Sequence, residues 1–383
     1  MAINKPPVTP PNNSAPTDDD FHAIVSRIAA SSPDINDERQ IPPALANAMA
    51  DQGLFRLLVP ASVGGGEIDF LKYLAMTQAI AAADGSAAWS FNQNNVLGSI
   101  AAFMPESLAK AIWSAPNAVV CNGPPQHTTV TSVDGGHTLT GRWNFSSGSR
   151  HATWVMCAGR DENEQPRLMF VPKSEVEFFD TWQVSGLRGT GSFSFEVNNA
   201  FVPTSRSFIE TQTPRENGPL YLMARSLLFA SGFASVGLGV ARAALHLAID
   251  TAMKKIPQEQ SALREQVQTH RELGQAAAIW GAADAFLTQA ASTLWTRATT
   301  TGEVAMDDRI QLRLASTHAI RQAADVVDIA YAICGATSVF EASPIQRKFQ
   351  DAHAITQQIQ GRLEHYETAG QHYLGLEPQS RMF

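Results

Sequence analysis

Residues 180–203 read DTWQVSGLRGTGSFSFEVNNAFVP. A Gly-rich loop (Gly186, Gly189, Gly191) runs into Ser192–Val197, where small polar and apolar residues alternate. That period of two is what a strand with one buried face requires. Thr138–Phe145 (TLTGRWNF), Thr153–Ala158 and Leu168–Val171 share the character: short, β-branched or aromatic, and separated by turn signals such as Asp134-Gly135-Gly136. Strands at this spacing without intervening helices predict a small antiparallel barrel or sandwich.

On both sides the period changes to that of helices. Phe21, Ile24, Val25 and Ile28 mark one amphipathic stripe, and Leu71, Leu74, Ala75 and Ile80 another. Pro43 falls where a helix's first turn tolerates it. Between them, Leu57-Leu58-Val59-Pro60 leads into Gly64-Gly65-Gly66, a turn open to unusual backbone angles. After Leu220, apolar residues from Leu227 to Ile249 step by three or four. Further helical patterns follow Arg264, span Arg309–Ile333 and follow Pro344. Four helices with short connections predict a bundle. The reading is therefore mainly α with a central β-domain: a lead-in over 1–18 expected to be disordered, a helical domain over 19–116, a β-domain over 117–213 and a four-helix bundle over 214–383.

Composition narrows the partners. The chain has 383 residues, with Lys+Arg 28 against Asp+Glu 36 and a net charge of −8, which argues against nucleic acid. Its three cysteines (Cys121, Cys157, Cys334) have no paired spacing. The N-terminus lacks the apolar run of a signal peptide, and no membrane span is expected, so the expected location is the cytoplasm. No Walker A, dinucleotide fingerprint, His-Glu-x-x-His or Gly-x-Ser-x-Gly motif is present, and Gly237-Leu238-Gly239 reads as helix packing.

Four segments are informative in combination: Leu57–Gly66; Trp143-Asn144-Phe145-Ser146-Ser147-Gly148; Asp180–Ser192 with Phe201-Val202-Pro203; and Cys334-Gly335-Ala336 followed by Pro344–Arg347 and Asp351-Ala352. In this order and spacing the chain resembles the acyl-CoA dehydrogenase superfamily. Within it, the resemblance is closest to the oxygenases of two-component flavin monooxygenases, such as 4-hydroxyphenylacetate hydroxylase and dibenzothiophene monooxygenase. The resemblance implies a homotetramer that takes reduced FMN or FAD from a separate reductase. It further implies that O2 adds to the flavin as a C4a-hydroperoxide, which oxygenates a small aromatic or heteroatom-bearing substrate. The alternative is an acyl-CoA dehydrogenase-like flavoenzyme with a non-standard or relocated base, because Ile359 stands where many dehydrogenases carry a catalytic Glu, eight residues after Asp351.

The same resemblance assigns candidate residues. Ser146 and Ser147 would face the flavin, with Ser146 bonded to the ring. Cys121 and Asn122 would run along its edge, beside Trp143 at the strand end. Arg188 would meet the phosphate or the reduced ring, and Gly335 and Ala336 would let the cofactor tail pass. Two positions that carry His in many oxygenases read as Asn94 and Gln358, which are assigned catalytic positions as non-titrating amides. A substrate that needs no deprotonation therefore fits better than a simple phenol. His127 and His353 are further titratable residues near these segments. Trp89, Phe91, Trp143 and Phe145 are candidates for an aromatic pocket. In the run Asn92-Gln93-Asn94-Asn95, at least one amide must face inward if the segment is helical.

Overall fold

A computed structural model describes residues 16–211 and 213–377; most of the expected lead-in lies outside the described residues. The chain forms two compact units. Among the described residues, one comprises 16–70, 90–183 and 188–223 and the other 71–89, 184–187 and 224–377.

In the first unit, α1 (Asp18–Asp37) starts at Thr17, whose hydroxyl accepts the Asp20 N–H at 3.2 Å. It buries Phe21, Ile24, Ile28 and Ile35. Helix α2 (Pro43–Asp51) begins on its proline and buries Leu45, Ala46 and Met49. The following turn needs glycine for two reasons: Gly64 sits at φ +82°, and a Cβ on Gly65 would lie 1.9 Å from the Val59 carbonyl oxygen. Helix α3 (Phe70–Ala83) belongs mainly to the second unit. Helix α4 (Gly85–Gly98) passes into the first unit at Ser90, and α5 (Glu106–Trp113) lies within it.

Eight strands then form two four-stranded sheets: β1 (Val120–Asn122), β2 (Pro125–Val133), β3 (Gly136–Ser146), β4 (Trp154–Arg160), β5 (Pro166–Pro172), β6 (Glu177–Phe179), β7 (Phe193–Pro203) and β8 (Ser207–Phe208). One sheet has the order β1-β4-β5-β8 and the other β2-β3-β7-β6. The pairing is antiparallel except that β1 runs parallel to β4. Cys121, Leu139, Trp143, Val155, Cys157, Met169, Phe195 and Val197 fill the core of these strands.

The second unit is helical: α6 (Arg225–Lys254), α7 (Val267–Thr301), α8 (Met306–Cys334), α9 (Pro344–Thr356) and α10 (Glu364–Tyr373). Four helices were expected here; α10, short and polar, is a fifth. A Cβ on Gly239 would lie 2.4 Å from the Gln78 carbonyl oxygen and 2.5 Å from Ala81, so this glycine of α6 serves helix packing. Among the described residues, α6 alone is long and apolar enough to cross a membrane. Its most apolar window is 83% buried within the protein, as suits a core helix. Arg313 of α8 is enclosed. Its guanidinium donates to Gln360 Oε1 and, at 3.0 Å, to the Ser226 carbonyl, and burial lowers its pKa to about 10. Replacing Arg313 with Met is expected to cost about 3 kcal/mol, read as a lower urea midpoint, because two acceptors lose their donor.

Candidate active site

In the first unit the site is built on the end of β3. Phe145 takes φ +57° and Gly148 φ +76°, so the chain turns sharply on either side of Ser146-Ser147. Phe145 is thrown outward, 62% exposed and edge-on to Trp182 at 6.1 Å. It therefore does not belong to a buried aromatic pocket. Ser146 is fully buried, and its hydroxyl meets no oxygen or nitrogen at hydrogen-bonding distance. It interacts with the thiol of Cys121, a weak partner. Burial pushes that thiol up to about 11, with the Ser146 hydroxyl pulling the other way, so Cys121 packs as a neutral side chain. The Ser147 hydroxyl lies 2.7 Å from that of Ser192, which in turn lies 2.7 Å from that of Thr190. The Gly148 N–H donates to the Thr190 carbonyl at 2.9 Å. The two sequence segments, FSSG and RGTGS, are thus joined through hydroxyls. Arg188 opens the short 3-10 turn Arg188–Thr190 and donates from Nε to the Asn36 carbonyl at 3.3 Å.

Trp143 departs from its assignment. Its indole is buried in the core of the strands, stacked on Phe195 at 5.1 Å, and its Nε1–H donates to the Ala158 carbonyl at 3.0 Å. It supports the strand end from behind and presents no face to a cofactor. His127 lies exposed on β2.

The amide run on α4 resolves into separate roles. Gln93 Nε2 donates to Asn122 Oδ1 at 3.0 Å. Asn94, 1% exposed, donates from Nδ2 to the Val120 carbonyl at 2.9 Å, and its Oδ1 lies 3.0 Å from His151 Nε2. Asn95 accepts the Leu57 N–H at 2.7 Å and donates to the Leu54 carbonyl at 2.7 Å. Asn94 was assigned a catalytic position, but each end of its buried amide is engaged by a protein partner. His151 was not among the sequence-derived candidates. It is stacked on Phe55 at 4.7 Å, and its pKa falls to about 3, first through burial and then through the positive charge of Lys173. The sequence signal was its place five residues after Ser146 on the same turn.

In the second unit, Gln358 does not lie on the helix expected for it. Helix α9 stops at Thr356, and Gln358 caps a 3-10 turn (Ile359–Gly361), its Oε1 accepting the Gln360 N–H at 2.6 Å. His353 pairs with Asp328 at 2.7 Å. Gly335 and Ala336 are exposed just beyond α8, and Gly335 takes φ +65°. Lys255 Nζ donates beside them to the Cys334 carbonyl at 2.6 Å. Trp89 stacks on Phe233 at 3.9 Å. A buried charge cluster also went unrecognised. Lys348 Nζ donates to the Ala82 carbonyl at 3.2 Å, and Asp351 Oδ1 accepts the Leu187 N–H at 2.6 Å. Burial, and then the negative charge of Asp84, raise the Asp351 carboxyl to about 7. Among the described residues no group of His, Cys, Asp and Glu could hold a metal ion.

The donor set at the β3 end fits a flavin ring rather than a charged ligand. It consists of uncharged hydroxyls, one of them buried with only a weak thiol partner, where a ring N–H or carbonyl could complete its bonding.

Residues 21–113 match the profile described as acyl-CoA dehydrogenase, N-terminal domain, and 231–361 the one described as acyl-CoA dehydrogenase, C-terminal domain. An indole-3-acetate monooxygenase of Pseudomonas putida is 33% identical over 351 residues, covering 89% of each chain. The chain belongs to the acyl-CoA dehydrogenase superfamily. An FADH(2)-dependent resorcinol hydroxylase, oxygenase component, of a Rhizobium species is 25% identical over 94% of this chain and 95% of its own. The crystal structure of the HsaA monooxygenase from M. tuberculosis superposes with a TM-score of 0.85 at 25% identity, covering 95% of this chain and 98% of that one. These superfamily relatives are named for oxygenation.

Proposed function

We propose that this chain is the oxygenase component of a two-component flavin-dependent monooxygenase. It takes reduced FMN or FAD from a separate reductase and, with O2, oxygenates a small aromatic or heteroatom-bearing substrate. The observation that carries the reading is the near end-to-end match to relatives named as such oxygenases, the P. putida enzyme foremost. When bound, the reduced flavin supplies the electrons that activate O2. The chain's own residues bind, orient and exclude water. Ser146 and Ser147 offer hydroxyls to the ring, and Cys121 and Asn122 line its edge. Arg188, on the same unit, neutralises its phosphate. Homotetrameric assembly and a cytoplasmic location complete the reading, the first checked by light scattering.

The substrate class follows from what does not titrate. His151, beside the β3 end, stays neutral across physiological pH. An electron-rich heteroaromatic ring, reactive without losing a proton, suits such a site, and the indole-3-acetate named for the P. putida relative is of that kind. No residue at Ile359 could serve the dehydrogenase alternative as a base.

Ser146→Ala and Ser147→Ala test the site. Each is expected to change stability by less than ~1 kcal/mol. Each should lower the share of reduced flavin that yields oxygenated product rather than H2O2 by about tenfold. Unchanged coupling in both variants would remove these hydroxyls from the site.

A further inference from the structure

Asn94 touches two places in the chain, and they are the two that carry the flavin-facing segments. Its Nδ2 holds the Val120 carbonyl, immediately before Cys121-Asn122. Its Oδ1 meets His151, which closes the turn after Ser146-Ser147. The contacts also settle the ring's protonation. Because Nδ2 donates to a carbonyl, Oδ1 is the atom facing the ring, so His151 Nε2 must carry the hydrogen. A neutral ring then leaves Nδ1 bare. Phe55 stacks on the ring at an interplanar angle of 23° and fixes its plane. Gly148 completes the arrangement, since a Cβ there would lie 2.5 Å from Asn94 Oδ1.

We infer that Asn94 and His151 are a positioning couple: the neutral His151 donates to Asn94, and the bridge sets the spacing between the β1 end and the β3 end. The couple rests on the proposed flavin site for its purpose but not for its existence. Neither residue transfers a proton. The charge that acts on the ring is that of Lys173, which is positive; its Nζ donates to the Arg150 backbone carbonyl at 2.5 Å. A positive neighbour keeps the ring uncharged.

Two measurements test this. In protein carrying 15N-labelled histidine, the His151 signals, assigned by their loss in His151→Gln, should report a neutral ring with hydrogen on Nε2. They should stay so from about pH 5 to pH 8, with and without reduced flavin. An imidazolium within that range, or hydrogen on Nδ1, would overturn the couple whether or not the flavin reading holds. The second measurement is coupling of flavin oxidation to product. Asn94→Leu and His151→Leu should each lower it about tenfold, and the double variant should be no worse than either. His151→Gln, which keeps a donor, should recover to within about twofold of wild type. If His151→Gln were as impaired as His151→Leu, His151 would be an acid or base rather than a positioning residue. If neither leucine variant altered coupling, the bridge would set nothing.

Discussion

Gly148→Val is expected to destabilise the chain by about 4 kcal/mol and to abolish coupled oxygenation. The cost has two sources. A β-branched residue at φ +76° is strained by about 1–2 kcal/mol. Its Cβ would also fall 2.5 Å from Asn94 Oδ1 and 2.8 Å from Nδ2. The Asn94 amide cannot swing aside without releasing Val120 and His151, each release costing roughly 1 kcal/mol or more. Urea midpoints measure the loss. Coupling between the sites sharpens the prediction: in an Asn94→Ala background the space is free, so Gly148→Val should cost clearly less than in the wild type. Additive penalties would mean that Gly148 is required for its dihedral alone.

The second prediction concerns pH and lies in the other unit. Asp351 titrates at about 7 in the folded chain, against about 4 when unfolded. Between those values the folded state holds a proton that the unfolded state has lost, so stability falls as pH rises through the window and is flat below it. Asp351→Asn keeps an oxygen for the Leu187 N–H, which meets Oδ1 at 2.6 Å, and has no proton to lose. Its stability relative to wild type should therefore grow from about pH 4 to pH 8, by at most about 4 kcal/mol. Urea midpoints at pH 5 and pH 8 decide it, and parallel profiles would contradict the assignment. The consequence reaches the loop. Leu187 takes φ +52°, and a Cβ on the preceding Gly186 would lie 2.1 Å from the Gln350 carbonyl oxygen, so this carboxyl pins residues 186–187, immediately before Arg188.

The sequence made long, regular elements legible. The alternation in Ser192–Val197 identified what became β7, and the steps from Leu227 to Ile249 identified α6. Strands β1, β6 and β8 escaped because two or three residues carry no period, and the nine-residue β2 escaped because only Val130 on it is buried, which leaves no alternating face. Helix α10 escaped because its face is polar.

The site was half legible for a related reason. Motif spacing located Ser146, Ser147 and Arg188 in their segments, but spacing cannot say where a side chain points. Trp143 was read as facing a cofactor, yet the strand turns it into the core. Asn94 was read as a replaced catalytic histidine, yet its amide is spent on two protein partners. Gln358 was read as helical because nothing in its composition shows that α9 ends two residues before it. In each case the missing information was which atoms the tertiary structure had already engaged.

The account turns on whether reduced flavin on this protein delivers oxygen to an organic substrate. The most direct measurement is a single turnover: the protein, anaerobically loaded with reduced FAD or FMN and mixed with 18O2 and an electron-rich heteroaromatic substrate such as indole-3-acetate. The account predicts binding of the reduced flavin and one 18O atom in the organic product. It would be contradicted if flavin reoxidised at its free-solution rate with all 18O recovered as H2O2 across a panel of such substrates, or if an acyl-CoA reduced tightly bound oxidised flavin instead.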